Sequence, residues 1–250
     1  MTLEVIGVLP DTHAPFHDQR AWRLTMKVMR WLRPKQIVHL GDWQDFYAVS
    51  AHSKDPRRAL DLEYEIKEGR KLIRQVANIA PTIYCAGNHE ARLSRFINDK
   101  APELHELVTT ENLLELGKME VRYIPYRTSY RIGCMRFTHD VNGKAGKNAV
   151  VGSLEAMGHN VCIGHIHRIS YHVNGDLEGE RHVGISVGWL GDLRAIDYMH
   201  RDTVTKDWAL GFGIAHHDPS TGYVSIQAVP IMPNYSVVVY GKSFSEPAEV

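Results

Sequence analysis

The apolar positions of the chain change their period along its length. Val5-Ile6-Gly7-Val8-Leu9, Ile37-Val38-His39-Leu40 and Thr82-Ile83-Tyr84-Cys85-Ala86 are short, continuous runs and predict buried strands. Two stretches of helical period lie between them. Over residues 20–32, Arg20, Arg23, Lys27 and Arg30 share one arc of the wheel, while Ala21, Leu24, Val28, Trp31 and Leu32 fall largely on another. Pro34 ends this helix. A second helix is predicted over 59–78, with Leu62, Ile66, Leu72, Ile73 and Val76 among its apolar positions. Strand alternating with helix implies right-handed crossovers and a largely parallel sheet covered by helices. Beyond residue 119 the pattern turns to β. Runs near 121–126, 129–138, 160–163, 183–188, 209–216 and 223–229 read as strands, and Asp218-Pro219-Ser220-Thr221-Gly222 as a hairpin turn.

No repeat or linker divides the 250 residues, so a single domain over 1–250 is expected. No apolar run approaches membrane length, and no basic-then-apolar leader opens the chain. The three cysteines are an odd number, which argues against a disulfide framework and for a reducing, cytoplasmic setting. Cys85, Cys134 and Cys162 read as small buried hydrophobes within strands. Twenty-nine basic residues balance twenty-nine acidic ones, so net charge does not indicate a broad grip on nucleic acid. Fifteen histidines are the unusual feature.

Five of those histidines gather where predicted strands end. Asp11-Thr12-His13 follows the first, Gly41-Asp42-Trp43-Gln44-Asp45 the second and Gly87-Asn88-His89-Glu90 the third. Thr138-His139-Asp140 and Gly164-His165-Ile166-His167 follow two later runs. In an open α/β sheet, ligands bind outside the carboxyl ends of the strands, so all five clusters are expected to converge. Imidazole nitrogens mixed with carboxylate and amide oxygens, without thiolates, suit Mn²⁺, Fe, Zn²⁺, Ni²⁺ or Co²⁺. An H-x-H or D-x-H pair is unremarkable alone, but residue frequencies give on the order of 0.003 chance occurrences of G-N-H-E in such a chain.

The order D-x-H, G-D-x-x-D, G-N-H-E, H, G-H-x-H resembles that of the calcineurin-like metallophosphoesterase superfamily. The resemblance covers residues 5–167. It implies an α/β fold, a four-layer αββα sandwich of two mixed sheets flanked by helices. Residues of about 183–229 would supply second-sheet strands and about 241–250 a C-terminal tail. It further implies two divalent metal ions per chain, manganese first among the candidates. Asp11, His13 and His167 would hold one ion, Asn88, His139 and His165 the other, with Asp42 bridging. The implied activity is phosphoester hydrolysis by a water held between the ions, with His89 serving the leaving oxygen or transition state and Asp45 holding the other ring nitrogen of His89. The Arg-Gly that follows the second aspartate in the superfamily's protein phosphatases is replaced here by Phe46-Tyr47. That departure tilts the expectation from phosphomonoesters and phosphoproteins towards phosphodiesters, including nucleic-acid ends. A non-catalytic scaffold of the same fold predicts eroded ligands, and none is eroded.

Arg92 and Arg95, opening a helix after G-N-H-E, are candidate substrate contacts, as are Lys144 and Lys147 in the loop after His139. The stripe Arg20, Arg23, Lys27, Arg30 reads as a solvated face, or as a track for a nucleic-acid strand if Trp43 or Tyr47 stacks a base. His39 reads as a satisfied core residue, and His17 and His182 as supports behind the ligands. Gly184-Ile185-Ser186-Val187-Gly188 matches G-x-S-x-G, with Asp197 and His216 in the order of a serine hydrolase. Its strand-like surroundings lack the required strand-to-helix turn, so it is read as a strand of the second sheet.

Overall fold

The predicted runs become β1 (Glu4–Leu9), α1 (Gln19–Leu32), β2 (Gln36–His39), α2 (Leu62–Ala77), β3 (Thr82–Cys85), α3 (Glu90–Lys100), α4 (Thr110–Leu113), β4 (Arg122–Ile124), β5 (Tyr130–Ile132), β6 (Met135–Thr138), α5 (Ala149–Met157), β7 (Asn160–Ile163), β8 (Ile169–Gly175), β9 (Arg181–Val187), β10 (Gly211–His217), β11 (Val224–Pro230), β12 (Ser236–Val239) and β13 (Lys242–Ser245). The computed structural model describes residues 2–52, 54, 61–175, 177–195 and 205–248. Local chemistry sets the helix ends. The Asp18 carboxylate accepts the Ala21 N–H at 2.9 Å to cap α1, and Asp61 accepts that of Tyr64 to cap α2. Arg33 adopts a left-handed φ of 49° just before Pro34 and closes α1.

A six-stranded sheet has the order β11-β10-β1-β2-β3-β4, and a five-stranded one β5-β6-β7-β9-β8. Strands β1 to β4 run parallel, as do β6, β7 and β9, while antiparallel partners flank both sets. Three apolar interfaces stack these elements into four layers. Leu24, Val28, Leu72 and Val76 of α1 and α2 cover the outer face of the first sheet at Leu9, Ile37 and Phe212. Ile6, Val8, Val38 and Ile83 meet Phe137, Cys162, Ile185 and Val187 between the sheets. Val150 and Leu154 of α5 cover Val161 and Ile163 on the far side. The chain is therefore the αββα sandwich expected. Among the described residues, no helix is long and apolar enough to cross a membrane.

Several expectations are corrected. Of the residues around 183–229, only β9 joins the second sheet. Strands β10 and β11 extend the first, with Val5 opposite His216 and Val8 opposite Gly213. Phe212, Ile214 and Ala215 are buried on both faces of β10, which suits a place beside β1 rather than an edge. The run 129–138 is a hairpin rather than one strand. Gly133 turns it at φ +49°, where a Cβ would sit 2.1 Å from Gly222 O. Cys134 therefore lies half-buried in that turn, whereas Cys85 and Cys162 are buried in strands, and burial pushes the Cys85 thiol up to about 12. The C-terminal residues are not a free tail: β13 pairs with β12, and Phe244 packs into the α1 core.

That hairpin also covers the basic stripe. Glu246 accepts Arg23 Nε at 2.9 Å, and the carbonyls of Glu246 and Ser245 accept Arg20 and Lys27. Trp43 is fully buried, its indole N–H donated to Gly69 O, and Tyr47 is buried as well. Neither ring can stack a base.

Candidate metal centre

The five motifs do converge. Each lies just past the carboxyl end of a parallel strand: Asp11 and His13 after β1, Asp42 and Asp45 after β2, Asn88 and His89 after β3, His139 after β6, His165 and His167 after β7. Four of these residues, His13, Asp42, His165 and His167, have φ between 49° and 67°. Left-handed backbone at non-glycine residues costs free energy that the surrounding fold must offset, and it concentrates at functional sites. Two glycines make room for this crowding. A Cβ on Gly41, itself at φ +103°, would lie 2.7 Å from His139 Nδ1, and one on Gly87 would lie 2.1 Å from Asp42 Oδ1.

Asp11, His13 and His167 form one potential ligand group, Asp42, His139 and His165 a second, and His13, Asp42 and His89 a third that overlaps both. In the first, His167 Nε2 is 3.1 Å from both Asp11 Oδ2 and His13 Nε2. In the second, His139 Nε2 is 2.9 Å from Asn88 Oδ1, 3.2 Å from His165 Nδ1 and 3.4 Å from Asp42 Oδ2.

The donor set fits a cation. Leu40 O can only accept, so its 3.0 Å contact with His139 Nδ1 places the ring proton there and leaves a lone pair on Nε2. One proton at most could serve the atoms converging on that lone pair, whereas a divalent ion with nitrogen and oxygen ligands serves them all. The charges agree. Burial raises the Asp11 carboxyl, but the imidazoles of His139, His167 and His13 hold it well below its usual range. Burial, followed by the charge of Asp11, pushes Asp42 well above its own. Two buried carboxylates in opposition call for positive charge between them.

A family model described as calcineurin-like phosphoesterase matches residues 5–217. The chain belongs to this family. The Gene 54 protein of Mycobacterium phage L5 is 26% identical over 245 residues, covering 91% of this chain and 93% of that protein, and that of phage D29 is 25% identical over 244 residues. Vacuolar Protein Sorting 29 from Cryptosporidium parvum shares the fold at 11% identity with a TM-score of 0.51, over 98% of this chain and 96% of the other.

In this family member, Glu90 ties the ligand loops together. Buried at 1% exposure, its Oε2 accepts the N–H groups of Asp42 (3.0 Å) and Gly87 (2.6 Å), and its Oε1 that of Gln44 (3.0 Å) and the Tyr84 hydroxyl (2.6 Å). Glu90 closes the G-N-H-E motif, and that motif is the sequence signal for this tie. His39 is satisfied, as expected. Gly41 N–H donates to its Nδ1 and its Nε2–H bonds Thr12 Oγ1, and burial pushes it down to about 3.

Asp45 holds His89 chiefly through its main chain. His89 Nδ1 lies 3.1 Å from Asp45 O, whereas the carboxylate is 3.5 Å from Nδ1, 3.3 Å from His13 Nδ1 and 3.1 Å from Arg92 Nη1. A carbonyl only accepts, so His89 carries its proton on Nδ1, and Nε2 accepts Arg92 Nη2 at 2.9 Å. Burial, with His13 and Arg92 adding to it, brings His89 down to about 3 against the opposing pull of Asp45.

A cleft of about 460 Å³ opens over Asp42, Asn88, His165 and His167, between Arg92 and Trp208. Arg92 thus faces the site. Arg95 lines the neighbouring groove instead, and Lys144 and Lys147 line neither, Lys147 Nζ lying 4.0 Å from Asp207 Oδ2. Sequence reading missed Arg168, whose Nη1 donates to Ala145 O at the cleft wall. It also missed Trp189, stacked on His167 with ring centroids 4.7 Å apart, and Trp208, which meets His167 edge-on at 4.3 Å and Trp189 at 4.9 Å. His17 and His182 pack against Trp22 and His159. Ser186 is fully buried near the end of β9 and His216 lies in the other sheet, so among the described residues no serine–histidine pair forms; Asp197 falls outside them.

Proposed function

We propose that the chain is a phosphoester hydrolase with two divalent ions per chain, manganese first among the candidates, acting on phosphodiesters in preference to monoesters. The observation that carries this reading is Asp42 standing in both the group with His139 and His165 and the group with His13 and His89. A shared carboxylate flanked by two ligand sets is what a binuclear centre requires. Asp11, His13 and His167 would hold one ion, and Asn88, His139 and His165 the other; such ions would supply Lewis-acid chemistry at the reacting phosphoryl group. The protein's own groups do the rest. Asp11 is fixed by the His165 N–H, 2.9 Å from Oδ1, so the loops after β1 and β7 cannot drift apart. Trp189 and Trp208 exclude water around His167. His89, oriented by Asp45 O, turns Nε2 towards the cleft, and Arg92 is positioned to leave that nitrogen for a phosphate oxygen; with its own proton on Nδ1, the ring would take a proton from water at Nε2 and pass it to the leaving oxygen. The presence of every motif ligand in this chain favours catalysis over a scaffold, a role that the fold alone, shared with a protein named for vacuolar sorting, does not decide.

The test is the chelated and reconstituted protein assayed on p-nitrophenyl phosphate and its bis-ester across Mn²⁺, Zn²⁺, Ni²⁺ and Mg²⁺. Metal-dependent hydrolysis with the bis-ester preferred supports the reading. Activity insensitive to chelation overturns it, and a preference for the monoester overturns the diester assignment.

A further inference from the structure

We propose that substrate binding continues from the metal centre into a groove along α3, which holds the next phosphate and base of a single-stranded oligonucleotide. The inference rests on the phosphoester reading above and specifies its substrate. A second cavity, also about 460 Å³, shares His52 and Arg92 with the first and runs on past Arg95, Phe96, Asp99 and Lys100. Arg92, Arg95, Phe96, Asp99 and Lys100 recur at helical spacing and so share one face of α3. From residue 92 to 100 the helix rises about 12 Å, the length of roughly three stacked nucleotides. A phosphodiester placed at the ligands therefore has its neighbouring phosphate within reach of Arg95 and Lys100.

The groove is built for a ligand with both charge and a flat ring. Arg95 is anchored towards the centre by donating Nε to Ala91 O at 3.1 Å and Nη2 to Asn88 O at 3.5 Å. Among the described residues, no carboxylate is ion-paired with Arg95 or Lys100. Phe96 leaves 41% of its surface in water between these cations, an arrangement that suits base stacking. A phosphopeptide would supply one phosphate and no planar base for Phe96. Asp99 at the same wall limits the excess of positive charge, so the footprint is short, in keeping with a chain of zero net charge.

The experiment measures anisotropy of a fluorescein-labelled thymidine tetranucleotide on manganese-loaded His89→Ala protein, with Phe96→Ala or Lys100→Ala added. Phe96→Ala should weaken binding roughly 10-fold. Lys100→Ala should weaken it several-fold and make the slope of log Kd against log salt shallower by about 0.7. In the wild-type background, both substitutions should leave kcat/KM for bis(p-nitrophenyl) phosphate within about twofold. Unchanged tetranucleotide affinity in both variants overturns the proposal, as does an equal loss on both substrates or equally tight binding of a phosphoserine peptide. Should no ester be hydrolysed while these binding changes appear, the groove stands and the hydrolase reading falls.

Discussion

Glu90→Gln is the substitution whose cost the geometry defines best. The amide keeps the size of the carboxylate but must place an NH2 where one oxygen accepted. At Oε2 it would confront two backbone donors, Asp42 N–H and Gly87 N–H. At Oε1 it meets Gln44 N–H and the Tyr84 hydroxyl, and only the hydroxyl can turn to accept. The better orientation still leaves one buried N–H unsatisfied, which costs about 1–3 kcal/mol, and weakens the bonds kept by the remaining oxygen, for a total of about 2–4 kcal/mol. In a domain of this size that corresponds to a fall in Tm of about 4–16 °C. Urea and thermal unfolding of the metal-free protein measure it, with exposed Glu63→Gln as control. Metal content should fall as well, because Glu90 positions the loops that carry Asp42 and Asn88. Stability within about 0.5 kcal/mol of the parent would refute the reasoning.

Asp42→Ala removes the carboxylate common to two ligand groups and should lose at least one ion per chain by elemental analysis; two ions retained would contradict its bridging place. His89→Ala should lower kcat by roughly 10²–10⁴-fold with metal content nearly intact, and a matching loss of metal would make His89 a ligand instead. The buried His39 titrates near 6.5 in the unfolded chain and near 3 in the fold, so between those values the unfolded state holds the extra proton. Its contribution is complete above about pH 6.5 and is lost as the pH falls towards 3, at about 1.4 kcal/mol per pH unit. His39→Gln should flatten the acid side of the stability profile by that amount, and an unchanged slope in urea melts at pH 7, 6 and 5 would count against it.

The features legible along the chain are those encoded over a few consecutive residues. Continuous apolar runs marked β1, β2, β3 and β7. The aspartates and histidines placed just beyond them marked the ligands, because a parallel strand delivers its next residues to one edge. Glycines at 41 and 87 belong to the same local code, since a Cβ at either would strike a ligand side chain. The remaining features depend on segments that lie far apart in the chain. Strand β10 reads like any apolar strand, and its place beside β1 follows from burial on both faces, which no local period expresses. Arg20, Arg23 and Lys27 look like a solvated face until β13 and Glu246 arrive more than 200 residues later to cover them. Trp43 looks available for stacking until α2 closes over it. Likewise, Trp189 and Trp208 reach His167 only because segments about 20 and 40 residues further along the chain return to the end of β7. A local period sets which way a side chain points along its own element; what it meets there is set by the free energy of burying the whole chain.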